Sequence, residues 1–406
     1  MTIIKDRPIG VTPYAETLFK EARQREPRRW VIVLAAVLAV VTGSAIGYGP
    51  AGMPNTASAS PHLAAVVTRR ASTVTGRTVT PKQPDALAFG PNGELYLVDA
   101  ARDQVLVSAS PYHSFRAFAG SGAMGFSGDS GPAVGAELSL SRGSGIAVGP
   151  AGTVFIVDSS NQRVRKVLPN GEIETVAGGG KVPLGPRPVP ALRAQFNPSG
   201  VTIGPDGDPY IAARQGVYEL TPKGMLDWVV GEQLPLPPSY AWDGNPAVQN
   251  DFLDAARVAF DRRGDLFVAG GGAYGLYERT TSGALRFVGV DRGPGGYLGA
   301  IATGPGGSVI TAATDLESYS PSGRRTSVAN ALSSVLGPMP HPSFGEKDWD
   351  FVVGTGVAVG PDGDIYVDAS TGTNTVSLIP AIARIAPGGH TSLVWRGPVP
   401  SFAKSM

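Results

Sequence analysis

Four histidines, His62, His113, His341 and His390, are the side chains best suited to metal binding or proton transfer near neutral pH. A metal needs several ligands converging on one point. These four stand in a low-complexity stretch, beside two turn-type sequences and in a long connection, so no convergence is expected. Asp206-Gly207-Asp208 and Asp362-Gly363-Asp364 resemble fragments of a calcium loop. Both lack the further oxygen ligand and the downstream Glu, and strand residues follow at once, so they read as hairpin turns. Gly270–Gly275 satisfies G-x-G-x-x-G by letter, but no helix follows to meet a phosphate. Gly178-Gly179-Gly180-Lys181 lacks phosphate-loop spacing, and Ser401-x-x-Lys404 sits at the terminus without partner motifs. There is no cysteine, which removes thiolate catalysis and disulfides. No catalytic residue, metal or cofactor is expected.

The elements come into view through self-similarity. An apolar strand, a Gly-Pro-x-Gly type turn and a second apolar strand recur from Ala86, Ile146, Val201, Val258, Ile301 and Val357. The turn glycines are Gly93, Gly152, Gly207, Gly264, Gly307 and Gly363, at intervals of 59, 55, 57, 43 and 56 residues. A second turn follows each phrase, at Pro169-Asn170-Gly171, Pro222-Lys223-Gly224, Ser282-Gly283, Pro321-Ser322-Gly323 and Pro387-Gly388-Gly389, with Pro111-Tyr112-His113 in the first copy. Asn-Gly and Pro-Gly pairs supply the backbone angles of tight hairpins. Each unit is thus four antiparallel strands, and six such sheets bury both faces only when arranged radially. The fold class is all-β, a six-bladed β-propeller of four-stranded antiparallel blades over residues 81–400. With 55 Gly and 36 Pro beside 42% hydrophobic residues, the composition agrees.

At these residues the chain resembles a known family. GSGAMGFSGDSGPAVGAEL (Gly120–Leu138) and the stretch from Gly145 to Gly180 are similar to NHL repeats, in the version found in exported bacterial proteins and teneurins. The resemblance implies a six-bladed propeller. The family's Asp after the second strand is matched by Asp99 and Asp158, while Ala213, Gly270, Ala313 and Ala369 stand at the other four positions. The amidating-lyase branch of such propellers uses axial histidines, which this chain does not supply.

Strand direction sorts the connections. With strands a to d running outward from the axis, the tight a–b and c–d turns share one face, and the b–c and d–a loops share the other. The long d–a insertions, at about 120–140, 178–198, 231–252 and 329–351, make the second face the expected binding face. Asp99, Arg102, Asp158, Asn161, Arg163 and Arg214 lie in or beside b–c loops there and are the candidate binding residues. The plainer alternative is that Asp99, Asp158 and Asn161 tie their own loops and the arginines are solvated surface.

The first 29 residues hold seven Lys/Arg and four acids, and residues 30–48 carry no charge. Nineteen residues at about 1.5 Å each span about the hydrocarbon core. Arg28 and Arg29 directly before them put 1–29 in the cytoplasm and the rest outside. Residues 49–80, rich in Pro, Ala, Ser and Thr, read as a linker. A cleaved signal peptide, leaving a secreted propeller, is the alternative. The remaining 27 basic and 29 acidic residues form no basic run, so nucleic acid is not an expected partner. The expected function is a non-catalytic module for a protein, peptide or carbohydrate ligand at the cell surface. The alternatives are a lactonase- or lyase-type enzyme, which needs an axial carboxylate cluster, and a sensor signalling through a partner.

Overall fold

The repeat pattern folds into six antiparallel sheets, seen in a computed structural model that describes residues 77–231, 255–270, 275–290, 299–312, 316–320, 324–328, 352–371 and 379–397. The segment read as a membrane span, 30–48, the insertions after 231 and after 328, His62 and His341 lie outside the described residues. Among the described residues no helix is long and apolar enough to cross a membrane.

Blade one runs outward as β2 (Pro84–Phe89), β3 (Leu95–Asp99), β4 (Gln104–Ser108) and β5 (Phe115–Ala119), with β1 (Thr78–Val79) outermost. Blade two repeats this with β6 (Gly131–Pro132) outside β7 (Ile146–Val148), β8 (Val154–Asp158), β9 (Arg163–Val167) and β10 (Glu172–Gly178). Before blade three, β11 (Val182–Pro183) pairs with β13 (Ala194–Gln195) in parallel. Its sheet is β12 (Val189–Pro190) outside β14 (Pro198–Ile203), β15 (Pro209–Ala213), β16 (Gly216–Leu220) and β17 (Met225–Gly231). Blade four comprises β18 (Ala255–Phe260), β19 (Leu266–Gly270), β20 (Gly275–Arg279) and β21 (Leu285–Val290). Blade five comprises β22 (Ala300–Thr303), β23 (Val309–Ala312), β24 (Leu316–Tyr319) and β25 (Arg325–Ser327). Blade six comprises β26 (Val352–Val359), β27 (Ile365–Thr371), β28 (Ile379–Ile385) and β29 (Thr391–Arg396). The expected four-stranded unit therefore holds in every blade, and three blades gain a fifth, two-residue edge strand.

All six first-turn glycines adopt positive φ, between 79° and 88°. Side chains with a Cβ rarely take that conformation, so glycine there closes the hairpin. Along β3, Leu95 and Leu97 pack toward blade six, while Tyr96 and Val98 pack toward blade two. Both faces are buried, which is why the second strand of each phrase is nearly all apolar.

The cores lie between blades. One cluster each joins blades one and two, two and three, three and four, four and five, and five and six. A sixth joins blade six to blade one through Tyr366, Ile382 and Val394 against Leu87, Leu106 and Phe115. The ring is closed, as the repeat predicted. Closure uses side chains rather than a shared strand. Phe89, Tyr112 and Tyr366 meet edge-on, Phe115 meets Trp395 at 6.2 Å, and the His113 ring lies 2.9 Å from the Val394 carbonyl.

Candidate functional site

The six candidate residues fall into three separate groups. Asp99 ends β3, is fully buried, and accepts the backbone N–H groups of Lys82 at 2.8 Å and Gln83 at 3.0 Å. Arg102 lies 3.4 Å from its carboxylate and donates to the Thr80 carbonyl at 3.0 Å. Both therefore hold the segment that enters blade one. Asp158, at the same place in blade two, is equally buried and accepts Ser139 N–H at 2.8 Å and the Asn161 amide at 2.9 Å. Burial raises the pKa of both carboxyls. For Asp158 the Asn161 amide, the Ser139 N–H and Arg165 pull the other way. Arg214 is exposed in the turn between β15 and β16 of blade three.

The blade-two group extends further than the sequence reading reached. Arg165 is fully buried, 2.8 Å from Asp129 and 3.6 Å from Asp158, and donates to the Ser127 carbonyl at 3.0 Å. Asn161 donates to the Gly125 carbonyl at 2.7 Å, and the Arg163 guanidinium lies 3.9 Å from the Phe126 ring centre. Asp158, Asn161, Arg163 and Arg165 thus clamp the 120–140 insertion. A signal for Arg165 did exist: in β9 it alternates with Val164 and pairs with the core residue Ile156.

The two described insertions, 120–140 and 178–198, run along the outer rim. In the first, β6 pairs with the start of β10, and Ala133 N–H donates to Gly171 O in the c–d turn at 2.9 Å. The next insertion repeats this: Ala191 N–H meets Gly224 O at 2.8 Å. Both carry the same phrase, Ala133-Val134-Gly135-Ala136-Glu137-Leu138 and Ala191-Leu192-Arg193-Ala194-Gln195-Phe196. The alanines and the final apolar residue are buried, whereas Val134 is 45% and Leu192 59% exposed. Met124, Phe126 and Val182 are exposed on the same insertions. Of the exposed large hydrophobics among the described residues, Leu393 alone lies elsewhere. The two described long loops therefore present their apolar side chains along the rim.

At the axis, two innermost strands begin before the repeated phrases at Ala86 and Val258. β2 starts at Pro84 and includes Asp85, and β18 starts at Ala255 and includes Arg257. β2 thereby brings one carboxylate, the buried Asp85, into an innermost strand. Among the described residues of the innermost strands it is one acid rather than a cluster. Arg257 is also buried and donates to Ala256 O at 2.8 Å and Ser199 O at 3.4 Å. The register places it level with Ala86, Gly200 and Ala300. Space there is small: a Cβ on Gly200 would sit 2.7 Å from Ala256 O, and one on Gly145 2.9 Å from Gly200 Cα.

On the opposite face, Asp206, Asp208 and Glu219 bring one oxygen each within 4.8 Å of the others. Among the described residues this is the set that most resembles metal ligands. Tyr210 donates to Asp206 at 2.8 Å. Burial, and then the neighbouring Asp206 charge, raise the pKa of Glu219 and Asp208. Blade six places Arg384 against Asp362 and Asp364, and blade four places Arg263 against Asp261, Asp265 and Glu278. In blade three, Glu219 occupies the Arg384 position opposite its tyrosine.

No known family profile and no curated protein matches the chain. Among solved structures it is similar to virginiamycin B lyase from Staphylococcus aureus, with 12% identity over 80% of this chain and 88% of that one, at a TM-score of 0.46. It is similar to a gluconolactonase from Xanthomonas campestris, with 12% identity over 72% and 86%, at 0.45. A protein of unknown function from Bacteroides caccae shows 13% identity over 75% and 93%, at 0.44. At such identities no activity carries over. The class defined by the sheets and their six interfaces is the six-bladed β-propeller.

Proposed function

We propose that the chain is an NHL-type propeller, tethered to the membrane by residues 30–48, that binds a protein partner outside the cytoplasm without catalysing a reaction. The distribution of exposed apolar side chains carries this reading. Met124, Phe126, Val134, Val182 and Leu192 all stand on the two successive rim insertions, and concentrated exposed apolar surface marks interaction sites. Both insertions are pinned by backbone hydrogen bonds, so little ordering cost opposes docking. The buried carboxylates of Asp99 and Asp158 are occupied in holding loops, which makes them scaffold rather than ligand contacts.

The test is photo-crosslinking in cells. A crosslinking residue at 124 or 192 is expected to capture one shared partner, and the same residue at 170 or 223 in the c–d turns none. Equal capture at both sets of positions overturns the reading. Protease protection of residues 1–29 in sealed membranes checks the tether.

The axial residues favour a second reading, small-molecule turnover at the mouth of the ring. Asp85 and Arg257 bring charge to the innermost strands, and propeller enzymes work at such mouths. Hydrolysis of lactones that disappears in Arg257→Ala would establish it, and a blank assay with folded protein would remove it.

A further inference from the structure

We propose that the insertion before blade three, residues 179–197, docks an acidic segment of a partner protein that also carries apolar side chains. This rests on the protein-binding reading above and specifies the partner. Lys181, Arg187 and Arg193 are all exposed on this insertion, which contains no Asp or Glu. None of the three is in an ion pair among the described residues. The cations flank apolar surface in sequence: Lys181 precedes Val182, which is 36% exposed, and Arg193 follows Leu192, at 59%.

The blade-two insertion makes the contrast. It shares the backbone phrase and the exposed apolar position but carries Asp129 and Glu137, and Asp129 neutralises Arg165. One framework thus displays a positive surface on blade three and none on blade two. Two of the blade-three cations are also brought side by side by the backbone. Gly180 N–H donates to Ala194 O at 3.0 Å, and Val182 pairs with Ala194, which brings the Lys181 and Arg193 ends of the insertion together. Complementary charge sets partner choice and encounter rate, while apolar contact supplies affinity. A protein segment fits better than a lipid surface. Segments that lie on membranes are amphipathic helices, whereas this insertion is built of the two-residue strands β11, β12 and β13 and one short turn of helix.

The experiment immobilises the full chain and flows over it a peptide alternating Glu and Leu, the same peptide with Lys for Glu, and vesicles of phosphatidylglycerol and phosphatidylcholine. The acidic peptide is expected to bind in a salt-sensitive manner, and the basic one to fail. Arg187→Glu with Arg193→Glu should weaken binding by about tenfold or more, Lys181→Gln should weaken it less, and Lys223→Glu in the c–d turn should leave it unchanged. Melting curves confirm folding, and Lys181→Gln decides the matter if the double variant melts early. Equal binding of both peptides, indifference to these substitutions, or vesicle binding that Arg187→Glu with Arg193→Glu abolishes overturns the proposal. If crosslinks form at 124 and 192 while the acidic peptide does not bind, the protein-binding reading survives and the acidic partner does not.

Discussion

Asp99 and Asp158 show how a conspicuous polar residue is spent. Each closes an apolar strand, and each holds N–H groups of the segment entering its blade. Removing a buried partner leaves the others desolvated and unpaired. Asp158→Ala should therefore cost about 3 kcal/mol or more in urea unfolding, because it strips a buried carboxylate from beside Arg165. Arg102→Ala, at a partly exposed pair, should cost less than about 1 kcal/mol. Equal losses would refute the distinction. The sequence made Asp99, Asp158 and Asn161 visible because they interrupt apolar periodicity, and the alternative that they tie loops matches their hydrogen bonds. Their partners were not visible, since Lys82 and Ser139 contribute backbone N–H groups that any residue has. Glu219 shows the converse case. Its raised pKa means the folded chain keeps a proton that the unfolded chain releases, so stability is lost as pH rises above the ordinary value of 4.5. Glu219→Gln should flatten the fall in melting temperature between mildly acidic and neutral pH. The gain at neutral pH should stay under about 1 kcal/mol, since the site is solvated.

At the scale of the element, the hairpins were legible and the insertions were not. Turn glycines and alternating apolar strands are local signals, and all six first turns appear where the repeat put them. The phrase shared by Ala133–Leu138 and Ala191–Phe196 recurs in successive insertions but says nothing of its partners, so length and composition alone could place the insertions on a face. Their rim path depends on partners distant in sequence, such as Gly171 and Gly224. The early start of β2 and β18 was hidden for another reason: a register shift lies at the entrance of each. At those entrances the blades press closely together. Gly200→Ala should destabilise by about 1–3 kcal/mol, because its Cβ would meet the Ala256 carbonyl. A thermal melt unchanged from the parent would show that the strands can move apart.

For the whole molecule, six interfaces share one repeated chemistry, and the sixth is the place where chain continuity does not help. Blade one owns all its strands and so does blade six, so the joint depends on Phe115, Trp395, His113 and the tyrosine cluster. Trp395→Ala should lower stability by about 1–3 kcal/mol. Deleting residues 391–406 should abolish cooperative melting, since it removes β29 and bares the edge of β28. A sharp transition in the deletion variant would mean that the other five interfaces suffice. Sequence periodicity predicted the blade number because every turn recurs; of the closing contacts, Phe89 with Tyr366 repeats Phe260 with Tyr210, whereas Tyr112 and His113 belong to the first copy's distinct second turn.

One consequence concerns force. β1 contributes two residue pairs, Thr78 with Arg116 and Val79 with Phe115, at the outer edge of blade one. A pull on the N-terminal segment reaches those pairs first and then the Asp99 bonds to Lys82 and Gln83. Held at both ends, the chain puts the same tension on β29, which is paired with β28 from Thr391 to Arg396 and should outlast the two pairs of β1. In a stretching experiment held at both ends, a small early extension from β1 should precede rupture of the ring. The N-terminal edge strand thus acts as a mechanical fuse, yielding while the six blades stay closed.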